Sequence, residues 1–126
     1  MKPKNPDYLG GLGFLYAEAG ENLAEAESLC RQALVESTNK KDADLWDNLG
    51  WVYYKRGKLT EAIDILEKAL AADKNNANVY YHLAYIYYKQ NNIAKAKELL
   101  LKTDLLAKSG RRLKQNILQL KKELKL

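Results

Sequence analysis

Trp46-Asp47-Asn48-Leu49-Gly50-Trp51-Val52-Tyr53 returns further along the chain as Tyr80-Tyr81-His82-Leu83-Ala84-Tyr85-Ile86-Tyr87. What recurs is a pattern of sizes: an aromatic at 46 and 80, leucine at 49 and 83, a small residue at 50 and 84, an aromatic at 53 and 87. A second stretch follows each copy, Ala62, Leu66 and Ala69 in one and Ala96 and Leu100 in the other. A fixed offset of this kind marks stacked repeats, each too small to bury its own apolar face. Such an array presents a surface, which points to binding before catalysis.

Working outward, repeat two is expected at 43–76 and repeat three at 77–110, with Thr103 standing in repeat three where repeat two has Ala69. Repeat one is degraded but readable over about 6–41: Leu9, Leu12, Gly13 and Tyr16 give its first helix, and Ala26, Cys30 and Ala33 its second. It carries one extra residue in the turn Gly20-Glu21-Asn22-Leu23 and two more in the polar link from Ser37 to Asp42. The β-formers Trp51-Val52-Tyr53-Tyr54 and Tyr85-Ile86-Tyr87-Tyr88 could suggest strands. The stripes Leu59, Ala62, Ile63, Leu66, Ala69, Leu70 and Ile93, Ala96, Lys97, Leu100 overrule this, because they have helical period. Gly20, Gly57 and Asn91 sit between helices and accept the left-handed turn that ends one. Small Gly13, Gly50 and Ala84 would let a paired helix approach, met by Ala26, Ala62 and Ala96. Trp46 and Tyr80 would fill the wider gaps to the next repeat, so Trp46→Ala is expected to cost about 3–5 kcal/mol. The segment from Arg111 to about Lys125 does not repeat the motif. Its stripe Leu113, Ile117, Leu120 and Leu124, polar elsewhere, suits an end-capping helix.

From about Tyr8 to Gly110 the chain resembles the tetratricopeptide repeat (TPR) family, most closely from Ala43 onward. The resemblance implies an all-α fold of antiparallel helix hairpins wound into a right-handed superhelix, about seven helices in a single domain over 1–126. It also implies that the first helix of each pair lines a concave groove, commonly holding a peptide or a partner's helix. The phrasing is also similar to closing repeats of longer bacterial repeat proteins. Relatives that grip a chaperone's carboxylate tail use Lys, Asn, Asn, Lys and Arg at positions that here read Gly10, Phe14, Asn48, Asn78 and His82. Only Asn48 matches, which speaks against a carboxylate clamp.

At 126 residues the chain can bury about two-thirds of its unfolded surface. It is 47% hydrophobic and 29% charged, and no run approaches the roughly 18 apolar residues of a membrane span. Its start has no apolar stretch behind the charges and does not read as a signal peptide. A lone Cys30 excludes an internal disulfide and favours a reducing, cytoplasmic setting, the alternative being part of a longer exported repeat protein. The net charge of +5 is local: the segment 111–126 holds six bases against Glu123, and the rest of the chain balances at zero. A nucleic-acid reading of the whole chain is weakened accordingly.

On a wheel of about 100° per residue, the side of the second repeat's first helix opposite Trp46, Leu49 and Tyr53 holds Asn48, Trp51, Tyr54 and Lys55. The equivalents in repeat three are Asn78, Tyr81, His82, Tyr85, Tyr88 and Lys89, with Phe14 in repeat one. Helices apolar nearly all round are normally buried on every side; in an array this stripe would face the groove. Tyrosine combines area, low entropy cost and a hydroxyl, the mixture found at binding hot spots. These residues form the candidate site for another protein or a peptide with apolar or aromatic anchors. The competing structural reading is that the rings are simply covered.

Other features carry less. His82 lacks a second His or Cys for a metal. Cys30 falls at an inward site and reads as a buried inert thiol. Glu25 with Glu27, and Glu61 with Asp64, read as solvated helix faces and not as acid/base pairs. No phosphate-binding loop occurs, so no enzyme activity, cofactor or small-molecule substrate is expected. The rival is the basic terminal helix, which could dock on an acidic partner, RNA or an anionic membrane. Its stripe is needed as a cap and no aromatic follows Tyr88, which disfavours nucleic acid and membrane. A homo-oligomer through uncovered repeat surfaces is the third reading.

Overall fold

The computed structural model describes residues 5–39, 42–106 and 111–126. The expected limits of repeats one and three, at 40–41 and 107–110, lie outside the described residues, as does the start at 1–4. The described residues form seven α-helices and no strand: α1 Pro6–Ala19, α2 Leu23–Glu36, α3 Ala43–Lys55, α4 Leu59–Ala72, α5 Ala77–Lys89, α6 Ile93–Leu106 and α7 Arg111–Leu124. Spacing therefore outweighs the β-propensity of the Trp/Tyr runs, since these residues serve two helix faces at once.

The boundaries have local causes. The Asn5 carboxamide oxygen accepts from the N–H groups of Asp7 and Tyr8, and Pro6 opens α1 where a missing N–H costs nothing. Asp42 caps α3 by accepting from Asp44, and Asn76 caps α5 by accepting from Val79. Gly20, Gly57 and Asn91 all take positive φ, at 70°, 79° and 64°. The extra residue in the first hairpin turn is absorbed at Asn22, also left-handed at φ 50°.

Two compact units result, residues 1–74 and 75–126. In the first, α1 pairs with α2 and α3 with α4, while α3 packs on both α1 and α2. Leu9, Ala33 and Leu45 form a buried cluster flanked by Leu29 and Leu34. The glycines set how closely the hairpins close. A Cβ on Gly13 would lie 2.6 Å from Cys30 Sγ and 2.8 Å from the Ala26 carbonyl oxygen. One on Gly50 would lie 2.7 Å from Leu66 Cγ and Cδ2. Cys30 and Leu66 thus occupy equivalent places opposite equivalent glycines.

In the second unit α5 pairs with α6, and α7 lies against both. Leu83, Ala84, Ala96 and Leu100 are fully enclosed, and α7 buries Ile117, Leu120 and Leu124. Thr103 is also enclosed; its hydroxyl donates to the Leu99 carbonyl at 2.9 Å, so the departure from alanine is satisfied locally. Lys121 crosses to Asp104 at 2.6 Å.

The large motif aromatics are placed differently from expectation. Tyr53 and Tyr80 are buried, but Trp46 is only half-buried, its ring capped by the Lys68 ammonium at 5.6 Å. Tyr80 is capped in the same way by Lys102 at 5.5 Å, so the repeat carries ring and cap together. Trp46 is a flank residue with a polar cap, and the expected core-sized loss on its truncation is revised downward.

Candidate functional site

Within the first unit, α3 carries Asn48, Trp51, Tyr54 and Lys55 on the side away from the repeat motif. Trp51 is 5% exposed, more enclosed than the sequence suggests. Its indole N–H donates to the Glu18 carboxylate on α1 at 2.5 Å, and the Tyr54 ring lies tilted at 5.0 Å between centroids. The Lys55 ammonium sits over the Trp51 ring at 5.5 Å and is itself exposed. Asn48, Tyr54 and, on α1, Phe14 are half-buried.

In the second unit α5 repeats this chemistry. Tyr81, Tyr85 and Tyr88 are half-buried and form a chain of rings, Tyr81 to Tyr85 at 6.4 Å and Tyr85 to Tyr88 at 6.5 Å, the latter edge-on. Lys89 lies over both Tyr85 and Tyr88, at 5.4 and 5.5 Å, as Lys55 lies over Trp51. His82 is buried against Tyr81 at 5.6 Å, while Asn78 is exposed. Each unit thus groups part of its own stripe: Trp51 and Tyr54 with Lys55 over Trp51 in the first, and Tyr81, Tyr85 and Tyr88 with Lys89 over the last two in the second. Tyr54, Tyr81, Tyr85 and Tyr88 keep accessible surface, whereas Trp51 and His82 are largely closed off.

One constellation escaped the sequence reading. Glu27, expected on a solvated face, has a side chain only 12% exposed and is the hub of three cations: Arg31 at 3.0 Å, Arg56 at 2.8 Å and Lys58 at 3.2 Å. Arg31 also donates to the Tyr53 hydroxyl, and Arg31 and Lys58 both lie over the Tyr53 ring at 5.6 Å. Burial works to raise the Glu27 carboxyl, but the hydrogen bonds from Arg31, Lys58 and Arg56 outweigh it and hold it below its ordinary value. The only sequence trace was the Glu27/Arg31 spacing of four. The network ties α2 to the α3–α4 turn and leaves Glu27 ill-suited to proton transfer.

Chemistry of other kinds finds little support. Burial, with a smaller push from the Glu27 charge, raises the Cys30 thiol to about 12, far from a reactive thiolate. Among the described residues no group of three or more His, Cys, Asp or Glu could hold a metal ion. No helix among them is long and apolar enough to cross a membrane.

Two tetratricopeptide repeat family profiles match the chain, over residues 7–75 and 53–115. A TPR repeat-containing protein of Pseudomonas aeruginosa is 33% identical over 69 residues, covering 55% of this chain and 11% of that protein. The chain therefore spans only about a tenth of that relative. Among solved structures, PilF of Pseudomonas aeruginosa aligns with a TM-score of 0.74 at 27% identity, covering 95% of this chain and 54% of that one. The Yersinia enterocolitica type III secretion chaperone SycD, in complex with a peptide of the translocator YopD, aligns with a TM-score of 0.73. At 17% identity, over 94% of this chain and 91% of that one, it shares the fold.

Proposed function

This chain belongs to the tetratricopeptide repeat family, and from that premise we propose that it acts as a non-enzymatic scaffold that holds a peptide or a partner's helix. The binding surfaces in this proposal are the aromatic faces of α3 and α5. The observation that carries it is the recurrence, in both units, of accessible tyrosine rings grouped with an exposed lysine. Tyr54 stands beside Trp51 and its Lys55 cap, and Tyr85 and Tyr88 lie under Lys89. Rings with a hydroxyl and an ammonium beside them suit an apolar or aromatic anchor flanked by a carboxylate or backbone carbonyl. SycD, which shares the fold, is bound to a peptide, and this supports the general role without fixing the residues.

The test uses the accessible tyrosines, because Trp51 is enclosed and its loss would confound folding with binding. A peptide selected from a random displayed library on the intact chain is titrated against wild type and against Tyr85→Ala/Tyr88→Ala. A loss of roughly tenfold or more is expected, the size of a hot-spot truncation, in a variant that still folds, with its melting midpoint lowered by the half-buried ring contacts it gives up. Equal affinity in the folded double variant would rule out the α5 face, and Tyr54→Ala tests α3 in the same way.

A further inference from the structure

Three cations surround one carboxylate in the first unit, on the motif side of α3 and away from its tyrosine face. The turn between α3 and α4 brings two of them together. The Lys58 N–H donates to the Tyr53 carbonyl and the Gly57 N–H to the Tyr54 carbonyl, both at 2.9 Å. Gly57 takes the left-handed φ of 79° that this reversal requires. Arg56 and Lys58, on either side of that glycine, therefore reach the same oxygen of Glu27, at 2.8 and 3.2 Å. Arg31, one helical turn beyond Glu27 on α2, takes the other oxygen at 3.0 Å. Among the described residues, Glu27 is the one carboxylate within ion-pair distance of these three cations.

One carboxylate cannot neutralise three cations, so two positive charges are left over. Arg56 and Lys58 share an oxygen and repel each other at close range. Donors are left over as well. Arg31 uses Nε on Glu27 and Nη2 on the Tyr53 hydroxyl, and Arg56 uses Nη1. That leaves Nη1 of Arg31, Nε and Nη2 of Arg56, and two N–H groups of Lys58. The side chains of Arg31, Arg56 and Lys58 are 58%, 30% and 38% exposed, so these donors open to solvent. Glu27 and the Tyr53 ring, over which Arg31 and Lys58 both lie at 5.6 Å, hold the three heads in place beforehand. The cost of ordering these long side chains therefore falls on folding and not on binding.

We propose that this cluster binds the phosphate monoester of a phosphorylated segment of a partner protein. The charges match: a monoester carries about −1.5 to −2 at neutral pH, and the cluster has a surplus of two. The oxygens match too, since three acceptors on one phosphorus meet donors from three side chains, two of them planar guanidinium forks. A carboxylate or a phosphodiester brings a single charge and leaves one cation unbalanced. The heads stand on an open surface, which suits a group projecting from a chain. That the ester is carried by a protein rests on the scaffold role proposed above; the cluster itself is separate from the tyrosine faces.

The experiment is a titration of the intact chain with a glycine-serine peptide carrying one phosphoserine, followed by NMR at the arginine Nε–H signals. Saturable shifts at Arg31 and Arg56 are expected. The unphosphorylated peptide and its methyl phosphodiester should bind roughly tenfold or more weakly. Arg56→Gln/Lys58→Gln should lose a similar factor while its spectrum remains that of a folded chain. Should that variant fail to fold, the wild-type comparison of monoester with diester decides alone. Tyr85→Ala/Tyr88→Ala should bind the phosphopeptide like wild type, so the tyrosine faces and this cluster can fail separately. Absence of saturable shifts, or equal binding of monoester and diester, would overturn the proposal. So would a folded double variant with wild-type affinity. Shifts from inorganic phosphate with none from the phosphopeptide would assign the cluster to a free ion and overturn it as well.

Discussion

Trp46 and Trp51 exchange the parts that their sequence positions assign them. Trp46 stands at the motif position yet is half-buried under Lys68, whereas Trp51, on the opposite side of α3, is enclosed and bonded to Glu18. Truncation costs follow enclosure and not motif membership. Trp51→Ala is expected to cost about 3–5 kcal/mol, and Trp46→Ala clearly less, because part of its ring never leaves water. Chemical denaturation of the two variants checks the order; a larger loss at Trp46 would contradict it. The glycine and cysteine readings were legible at this scale. Gly13 and Gly50 each face an inward side chain that a Cβ would meet at under 3 Å, and Cys30 is that neighbour in the first repeat. The burial of Trp51 was not legible, because its partner Glu18 comes from α1, far back along the chain.

Among the elements, the joint between α2 and the α3–α4 turn rests on one carboxylate. Glu27 faces three cations, two of which also cover the Tyr53 ring. Its carboxyl is held below the ordinary value of 4.5, so the unfolded chain takes up the proton first as pH falls. The stabilisation is therefore complete above about pH 4.5 and drains away as pH drops through the lowered folded-state value. Glu27→Gln should be less stable than wild type by about 1–3 kcal/mol at neutral pH, the scale of lost charge-assisted hydrogen bonds. The difference should shrink in acid below that point. A gap independent of pH, measured by urea unfolding at several pH values, would mean that the network contributes nothing through its charge. No short sequence window shows this joint, since Glu27 on α2 meets Arg56 and Lys58 from beyond α3.

At the scale of the whole molecule, charge is concentrated in one element: +5 over the segment 111–126, with the preceding 110 residues balancing at zero. The helix α7 combines two tasks on opposite sides, an apolar seal toward α5 and α6 and a basic outward face. Removing the segment 111–126 should uncover the apolar surface that packs against Ile117, Leu120 and Leu124, lowering the melting midpoint and promoting aggregation. A midpoint equal to that of the intact chain would show that α7 is no seal. The sequence by itself determined the helix pairs, their turns and the close glycine contacts, because these depend on residue sizes repeated at a fixed period. Only the tertiary structure decided which rings stay accessible, that Glu27 is a hub and that Trp46 lies on a flank. Those properties arise where side chains distant in sequence meet, and a periodic pattern specifies which face a residue occupies but not what covers it.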